Sequence, residues 1–112
     1  RGVMFSDVPN FAFTVGYTNA SWTLKSDLSC QFVVKLLNYM KKHNYSVCTP
    51  RFDPDAFDTE PLLDFDAGYI LRALDTLPKQ GSKHPWKVYQ NYVLDLMSLK
   101  MDSVNDKYLE YK

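Results

Sequence analysis

Net charge is the first thing this sequence lacks: 13 basic and 13 acidic side chains cancel over 112 residues. A nucleic-acid binder needs surplus Lys and Arg to meet phosphates, and a self-repelling disordered tail needs an excess of one sign, so the balance argues against both. Cysteine and histidine are scarce, with two of each. Neither Cys30 nor Cys48 has a Cys or His nearby at metal-ligand spacing, no observation supports a disulfide between them, and no metal site is expected. His43 closes a predicted helix and His84 precedes Pro85 in a polar loop, with no Ser-His-Asp or Cys-His arrangement around either. No apolar run is long enough to span a bilayer, and nothing resembles a signal peptide. The chain therefore reads as cytoplasmic, with free thiols. The tripeptides Asn-x-Ser at Asn19 and Asn44 are of a kind that arises often by chance.

What is abundant is aromatic surface. Eight Tyr, seven Phe and two Trp make up 15% of a chain that is otherwise ordinary, at 46% apolar and 23% charged. The length suits one domain with a modest core. Large rings serve such a core well. They also suit a surface that meets a ring-shaped cofactor or another domain.

Along the chain, Gly2 to Phe5 and Phe11 to Val15 predict two short strands joined at Ser6-Asp7-Val8-Pro9-Asn10, a stretch of turn formers. Phe11-Ala12-Phe13-Thr14-Val15 is apolar at nearly every position, as a strand covered on both faces would be. Gly16 ends it. Asn19 or Ser21 then offers an N-cap for a helix predicted over residues 22–43. There Leu24, Leu28, Phe32, Leu36 and Met40 recur every four residues beside Val33 and Leu37, while Lys25, Lys35, Lys41 and Lys42 fall elsewhere. Lys41, Lys42 and His43 suit the negative end of the helix dipole, and Asn44 the C-cap. Tyr45 to Thr49 is a further short strand.

Residues 51–66 form an acidic arm (Asp53, Asp55, Asp58, Glu60, Asp64, Asp66) punctuated by Phe52, Phe57, Leu62, Leu63 and Phe65. It lacks the ligand spacing and central Gly of a calcium loop. A second helix is predicted over 67–77, between Asp66 and Pro78. A basic loop, Lys79 to His84, leads to a third over 85–100, with Pro85 at its first position and Trp86, Tyr89, Val93, Leu96 and Met97 on one face. Tyr108 to Tyr111 is a candidate last strand. The fold class is thus a mostly helical α+β piece: three helices (about 22–43, 67–77, 85–100) and an N-terminal β-hairpin (about 2–5, 11–15).

The feature with most chemical content is the passage from strand through Gly16 into the polar turn and the helix. A helix N-terminus offers free N–H groups to an anionic or electron-rich ligand. Thr18, Asn19, Ser21 and Thr23 add side-chain donors and acceptors. The same residues also serve as simple caps, and spacing alone favours that plainer role. Likewise Gly81 and Ser82 between Lys79 and Lys83 suit either a phosphate or a solvated turn.

Two stretches carry a resemblance. The run from Val8 through Pro9, Asn10 and Phe11 to Gly16-Tyr17-Thr18-Asn19-Ala20-Ser21-Trp22-Thr23-Leu24-Lys25 resembles the C-terminal FAD-contacting segment of bacterial FAD-containing monooxygenases (the Baeyer–Villiger and flavin-containing monooxygenase superfamily), in the branch that includes the ethionamide-activating enzyme of mycobacteria. Leu77-Pro78-Lys79-Gln80-Gly81-Ser82-Lys83-His84-Pro85-Trp86-Lys87, followed by Gln90-Asn91-Tyr92, is similar to a second signature of that branch. The resemblance implies a larger enzyme using FAD, NADPH and O2 to oxygenate ketones or sulfur and nitrogen compounds. Within it, residues 1–49 supply a strand–turn–helix that completes the FAD domain of an α/β flavoprotein, and 50–112 a C-terminal arm with helices.

It further implies that Gly16 lets backbone approach the flavin, that Tyr17, Thr18, Asn19, Ala20 and Ser21 lie beside the isoalloxazine ring, and that Trp22 and Thr23 reach the substrate pocket. The family's Gly-x-Gly-x-x-Gly loops and its active-site arginine are absent from this stretch. The expectation is therefore a fragment with no catalytic residue of its own, inactive and without bound FAD when alone. A start at Arg1 without an initiator Met fits that expectation. The partners implied are the remainder of the parent enzyme and, for the isolated piece, a homo-oligomer; neither nucleic acid nor metal is expected. Membrane association of the parent stays open. The rival reading is a non-catalytic interaction or structural module.

Overall fold

The apolar repeat beginning at Trp22 does form a helix, α1, over Trp22–Lys42 in this computed structural model, which describes residues 2–16, 21–61, 78–89, 91–101 and 103–112. Its buried residues are Lys25, Leu28, Ser29, Phe32, Leu36 and Met40, one stripe at three- and four-residue steps. Phe32 is wholly covered and sits at the centre of the core with Val3, Leu28, Leu36, Cys48, Leu99, Val104 and Leu109. The helix stops where the chain turns left-handed at Asn44, φ 59°. Tyr45 N–H then bonds back to the Met40 carbonyl at 2.9 Å, which occupies a terminal acceptor.

Two small antiparallel sheets complete the described elements. Strand β1 (Cys48–Pro50) pairs with β4 (Leu109–Tyr111) in the register Cys48 to Tyr111, Thr49 to Glu110 and Pro50 to Leu109. Beyond the strands, Ser46 and Val47 N–H donate to the Lys112 carbonyl and Arg51 N–H to that of Tyr108, so the pairing runs past both ends. On the surface Arg51 bonds Asp7 at 2.8 Å and Glu110 at 3.0 Å. The bond from Arg51, helped by Lys112, holds the Glu110 carboxyl below its ordinary range. Strand β2 (Thr59–Pro61) pairs with β3 (Lys79–Gly81). This pair is tied to β1 through rings: Trp86 stands edge-on to Phe52 at 5.1 Å, and Phe57 edge-on to Tyr108 at 5.4 Å.

The expected N-terminal hairpin is not present. A single backbone bond, Phe13 N–H to the Val3 carbonyl, joins its two arms, and neither arm is a strand. The cause lies in the turn between them. Asp7 and Asn10 take left-handed φ of 64° and 53°, which sends their N–H groups to the carbonyls of Pro50 and Cys48. The Asn10 side chain completes the attachment, accepting from Cys48 N–H at 2.9 Å and donating to the Ser46 carbonyl at 3.0 Å. The segment thus lies along the edge of β1, and Phe5 stacks on Phe13 at 4.5 Å.

The expected three helices are also corrected. Among the described residues there are two helical segments: α1, and a short α2 (Tyr92–Asp95) that continues as a π-helix over Leu96–Met101. The helix expected over 67–77 lies outside the described residues. The one expected from Pro85 starts only after Asn91, whose side chain caps Val93 and Leu94 N–H. Residues 79–88 are taken up otherwise, by β3 and by a turn in which Trp86 and Lys87 N–H share the Lys83 carbonyl. Its expected apolar face is only partly kept: Leu96 packs against the core, but Val93 and Met97 are exposed, while Asp95, Ser98 and Leu99 are buried.

The burial pattern separates neighbouring substitutions. Phe32→Ala is expected to cost about 3–5 kcal/mol in urea unfolding, whereas Leu37→Ala, on the exposed side of the same helix, should cost under about 1 kcal/mol. The thiols divide in the same way. Burial pushes the Cys48 thiol up to about 11, against the pull of Tyr111, while Cys30 is exposed. A thiol reagent at pH 8 should titrate Cys30 rapidly and Cys48 only after denaturation. Stability linked to Cys48 should be intact below pH 9, where both states keep the proton. It should decline as pH rises from 9 toward 11, where only the unfolded chain has lost it.

Candidate functional site

The entry into α1 is assembled from both sides of the turn. Ser21 is extended, φ −63° and ψ 128°, as an N-cap should be. Its hydroxyl does not cap the helix, however; it bonds to the Thr23 hydroxyl at 2.7 Å. The first turn carries no acidic side chain. The positive end of the helix dipole is therefore offset neither by a cap from Ser21 nor by a nearby carboxylate of that turn. One turn on, the Ser26 hydroxyl meets that of Thr14 at 3.2 Å and so fastens the incoming segment to the helix.

Gly16 is buried, and the Trp22 indole lies against it: a Cβ at this position would overlap the ring. The glycine here serves the tryptophan, whose outer face stays open at 59% exposure. The structure thus brings together Gly16, Ser21, Trp22 and Thr23 of the expected cofactor and substrate residues. Tyr17, Thr18, Asn19 and Ala20 lie outside the described residues.

Beneath this entry is a feature that the sequence reading placed on the wrong face. Lys25, assigned to the solvent side, is 2% exposed and holds Asp95, itself fully buried, at 3.0 Å. Taking two charges out of water is costly, and removing one partner of such a pair typically costs about 3–5 kcal/mol. Lys25 also stands close to the positive end of its own helix, which adds to the need for a carboxylate. Ten residues on, Lys35 Nζ reaches the carbonyls of Leu99 and Lys100 at 3.2 and 3.1 Å. Helix α1 is thereby fastened to the 92–101 segment at two points. Periodicity counted Lys25 as polar and therefore outward. The only signal that could have found it was a second polar residue, Asp95, among the apolar ones of the later helix.

The second motif is held differently. Gly81 N–H bonds to the Trp86 carbonyl and Ser82 N–H to that of Asp58, so these backbone donors are spent within the protein and do not form a cradle for phosphate. A side chain at Gly81 would strike Trp86 and crowd the Phe52 ring, which makes the stretch a packing device for that indole. Among the described residues no group of His, Cys, Asp and Glu stands together as a metal site, and no helix is long and apolar enough to cross a membrane.

With this geometry in hand, the chain can be set beside known proteins. It is 47% identical over 111 residues, 99% of its length, to the FAD-containing monooxygenase EthA of Mycolicibacterium smegmatis. It is 42% identical over 112 residues to the probable FAD-binding monooxygenase AlmA of an Acinetobacter species, and 42% identical to the putative FAD-containing monooxygenase MymA of Mycobacterium tuberculosis. Over nearly its whole length the chain is similar to a C-terminal part of proteins named as FAD-containing or FAD-binding monooxygenases. The chain spans less than a quarter of the length of these relatives, 23% of the first and 22% of the AlmA protein. No family model and no solved structure matches it. The matched stretch takes in both motifs, the Gly16 to Trp22 entry and the Gly81 to Trp86 turn.

The contact between Gly16 and Trp22 is open to a direct test. Gly16→Ala should displace an indole that is free to swing outward, shifting Trp22 emission to the red in a Trp86→Phe background. Thermal stability should change little, because the displaced group is a mostly exposed side chain.

Proposed function

We propose that the chain is the C-terminal part of a flavin-dependent monooxygenase that uses FAD, NADPH and O2 to oxygenate ketones or sulfur and nitrogen compounds. The observation that carries this reading is similarity at 42–47% identity to proteins named as FAD-containing or FAD-binding monooxygenases, over essentially the whole chain. Local geometry supports it. The entry into α1 presents a helix N-terminus that no first-turn carboxylate offsets, with the Ser21 and Thr23 hydroxyls beside it. Those groups fit the electron-rich pyrimidine edge of a flavin, where negative charge grows on reduction. When bound, the flavin would supply the redox and oxygen chemistry.

This chain's own residues would do three things. Gly16 and Ser21, with Tyr17 to Ala20, would line the ring edge. The dipole of α1 would favour the reduced, anionic form. Trp22, with its outer face uncovered, would close the pocket beside Thr23 and exclude water. NADPH and the oxygen-activating groups would be handled by other parts of the enzyme, and the isolated chain would be inactive.

In the parent oxygenase, Trp22→Ala or Asn19→Ala should lower flavin occupancy, read from the ratio of protein to flavin absorbance, or shift the preference between ketone and sulfide substrates. Unchanged FAD content together with unchanged kinetics in both variants would remove the flavin-contact assignment. The isolated chain leaves Trp22, Leu24, Val34, Leu37, Val93 and Met97 exposed and should self-associate at micromolar concentration. A monodisperse monomer in light scattering is the contrary result.

A further inference from the structure

An ion pair with exposures of 2% and 0% is a poor way to gain stability, since an apolar pair of similar volume is often as good or better. What a charged pair adds is a bond of fixed length and direction. Burial of Leu28, Phe32, Leu36 and Leu99 rewards area and is less directional than a hydrogen-bonded ion pair. The 3.0 Å bond between Lys25 and Asp95, with Lys35 on the carbonyls of Leu99 and Lys100, favours one axial setting of α1. Two such attachments ten residues apart fix how far α1 slides and how it is rotated. Lys25 stands three positions after Trp22, so that setting governs where the indole rests on Gly16.

We propose that Lys25 and Asp95 are a positioning pair: they set the first turn of α1, and through it the Gly16–Trp22 contact, so that the 91–101 segment shapes the flavin site without touching the flavin. The proposal rests on the reading of this turn as flavin-lining.

The test uses Lys25→Met, Asp95→Leu and the double variant K25M/D95L. Each single variant breaks the buried pair and should lose stability. The double variant removes both charges and should melt near the parent chain. In NMR of the full 112-residue chain, the Gly16 α-protons, set against the Trp22 ring, should carry a ring-current shift. The double variant should lose most of that shift while staying folded. In the FAD-loaded oxygenase it should move the long-wavelength flavin band and weaken FAD binding on the order of tenfold.

A folded double variant with the Gly16 shift unchanged overturns the proposal, because the pair would then be structural only. Should the double variant not fold, Asp95→Glu serves instead. It keeps the charge but lengthens the arm, and should move the Gly16 shift with melting retained; no movement is equally fatal. If the Gly16 shift moves while the flavin band and FAD affinity stay put, positioning stands and the flavin-lining reading falls.

Discussion

The arrangement depends on one buried contact, the bond from Lys25 to Asp95. Without it α1 and the 91–101 segment would meet through apolar groups around Phe32 and Leu99 and through Lys35 on the Leu99 and Lys100 carbonyls, with no buried ion pair between them. Such packing is strong but weakly directional, because hydrophobic burial rewards area and not a particular alignment. The ion pair converts a general attraction between two helices into a specific one. It also explains the local departures. Asp95 must face inward to meet Lys25, so Val93 and Met97 turn outward. The helix then continues with π geometry, where the Leu99 and Lys100 carbonyls meet Lys35. A short π segment is the kind of irregularity that tertiary demands impose on a helix, and it is often found near functional sites.

The second organising constraint is at the edge of β1. Asp7 and Asn10 use left-handed backbone to turn their N–H groups onto the Pro50 and Cys48 carbonyls. Asn10 adds its amide to the Ser46 carbonyl and the Cys48 N–H, standing in for a neighbouring strand residue. An edge that would otherwise be open for pairing with another chain is covered in this way. The same attachment leads the chain across the top of α1, so that Thr14 reaches Ser26 and Gly16 reaches Trp22. The two devices converge on the α1 entry, one from the strand side and one from the helix side.

Which parts were legible in the sequence follows from the range of the forces involved. The span of α1 was readable because its pattern is local: apolar residues at four-residue steps, basic residues in the last turn, Asn44 after it. The pairing partner of β1 was not, since its register depends on residues about 60 positions away. The N-terminal hairpin failed for a similar reason. Turn formers at Asp7 and Asn10 were recognised, but their N–H groups went to a distant strand and not across a local turn. At Lys25 the rule that charged residues face water gave the wrong side, as it must wherever a partner is supplied from elsewhere in the chain. At the site, Gly16, Ser21, Trp22 and Thr23 follow one another closely in the sequence, and the chain keeps them together at the α1 entry. The packing of Trp22 on Gly16 leaves no mark in the local sequence pattern.

The chain matches less than a quarter of its relatives' length, and this bears on how its surface should be understood. Trp22 and Leu24, close to Lys25 in the sequence, and Val93 and Met97, on either side of Asp95 in the sequence, are all exposed. A buried charge pair whose neighbours in the sequence are bare apolar groups makes little sense for a surface that faces water, because exposed hydrocarbon gains nothing there. It makes sense for a surface that is to be covered. Covering would lower the dielectric around the pair, strengthen its directional hold and seat the indole of Trp22. On that view the ion pair holds the entry in place before anything lies on it, and what lies on it then increases the rigidity of that setting. Order at the site and closure of the site would reinforce each other, with Lys25 as the residue where the two meet.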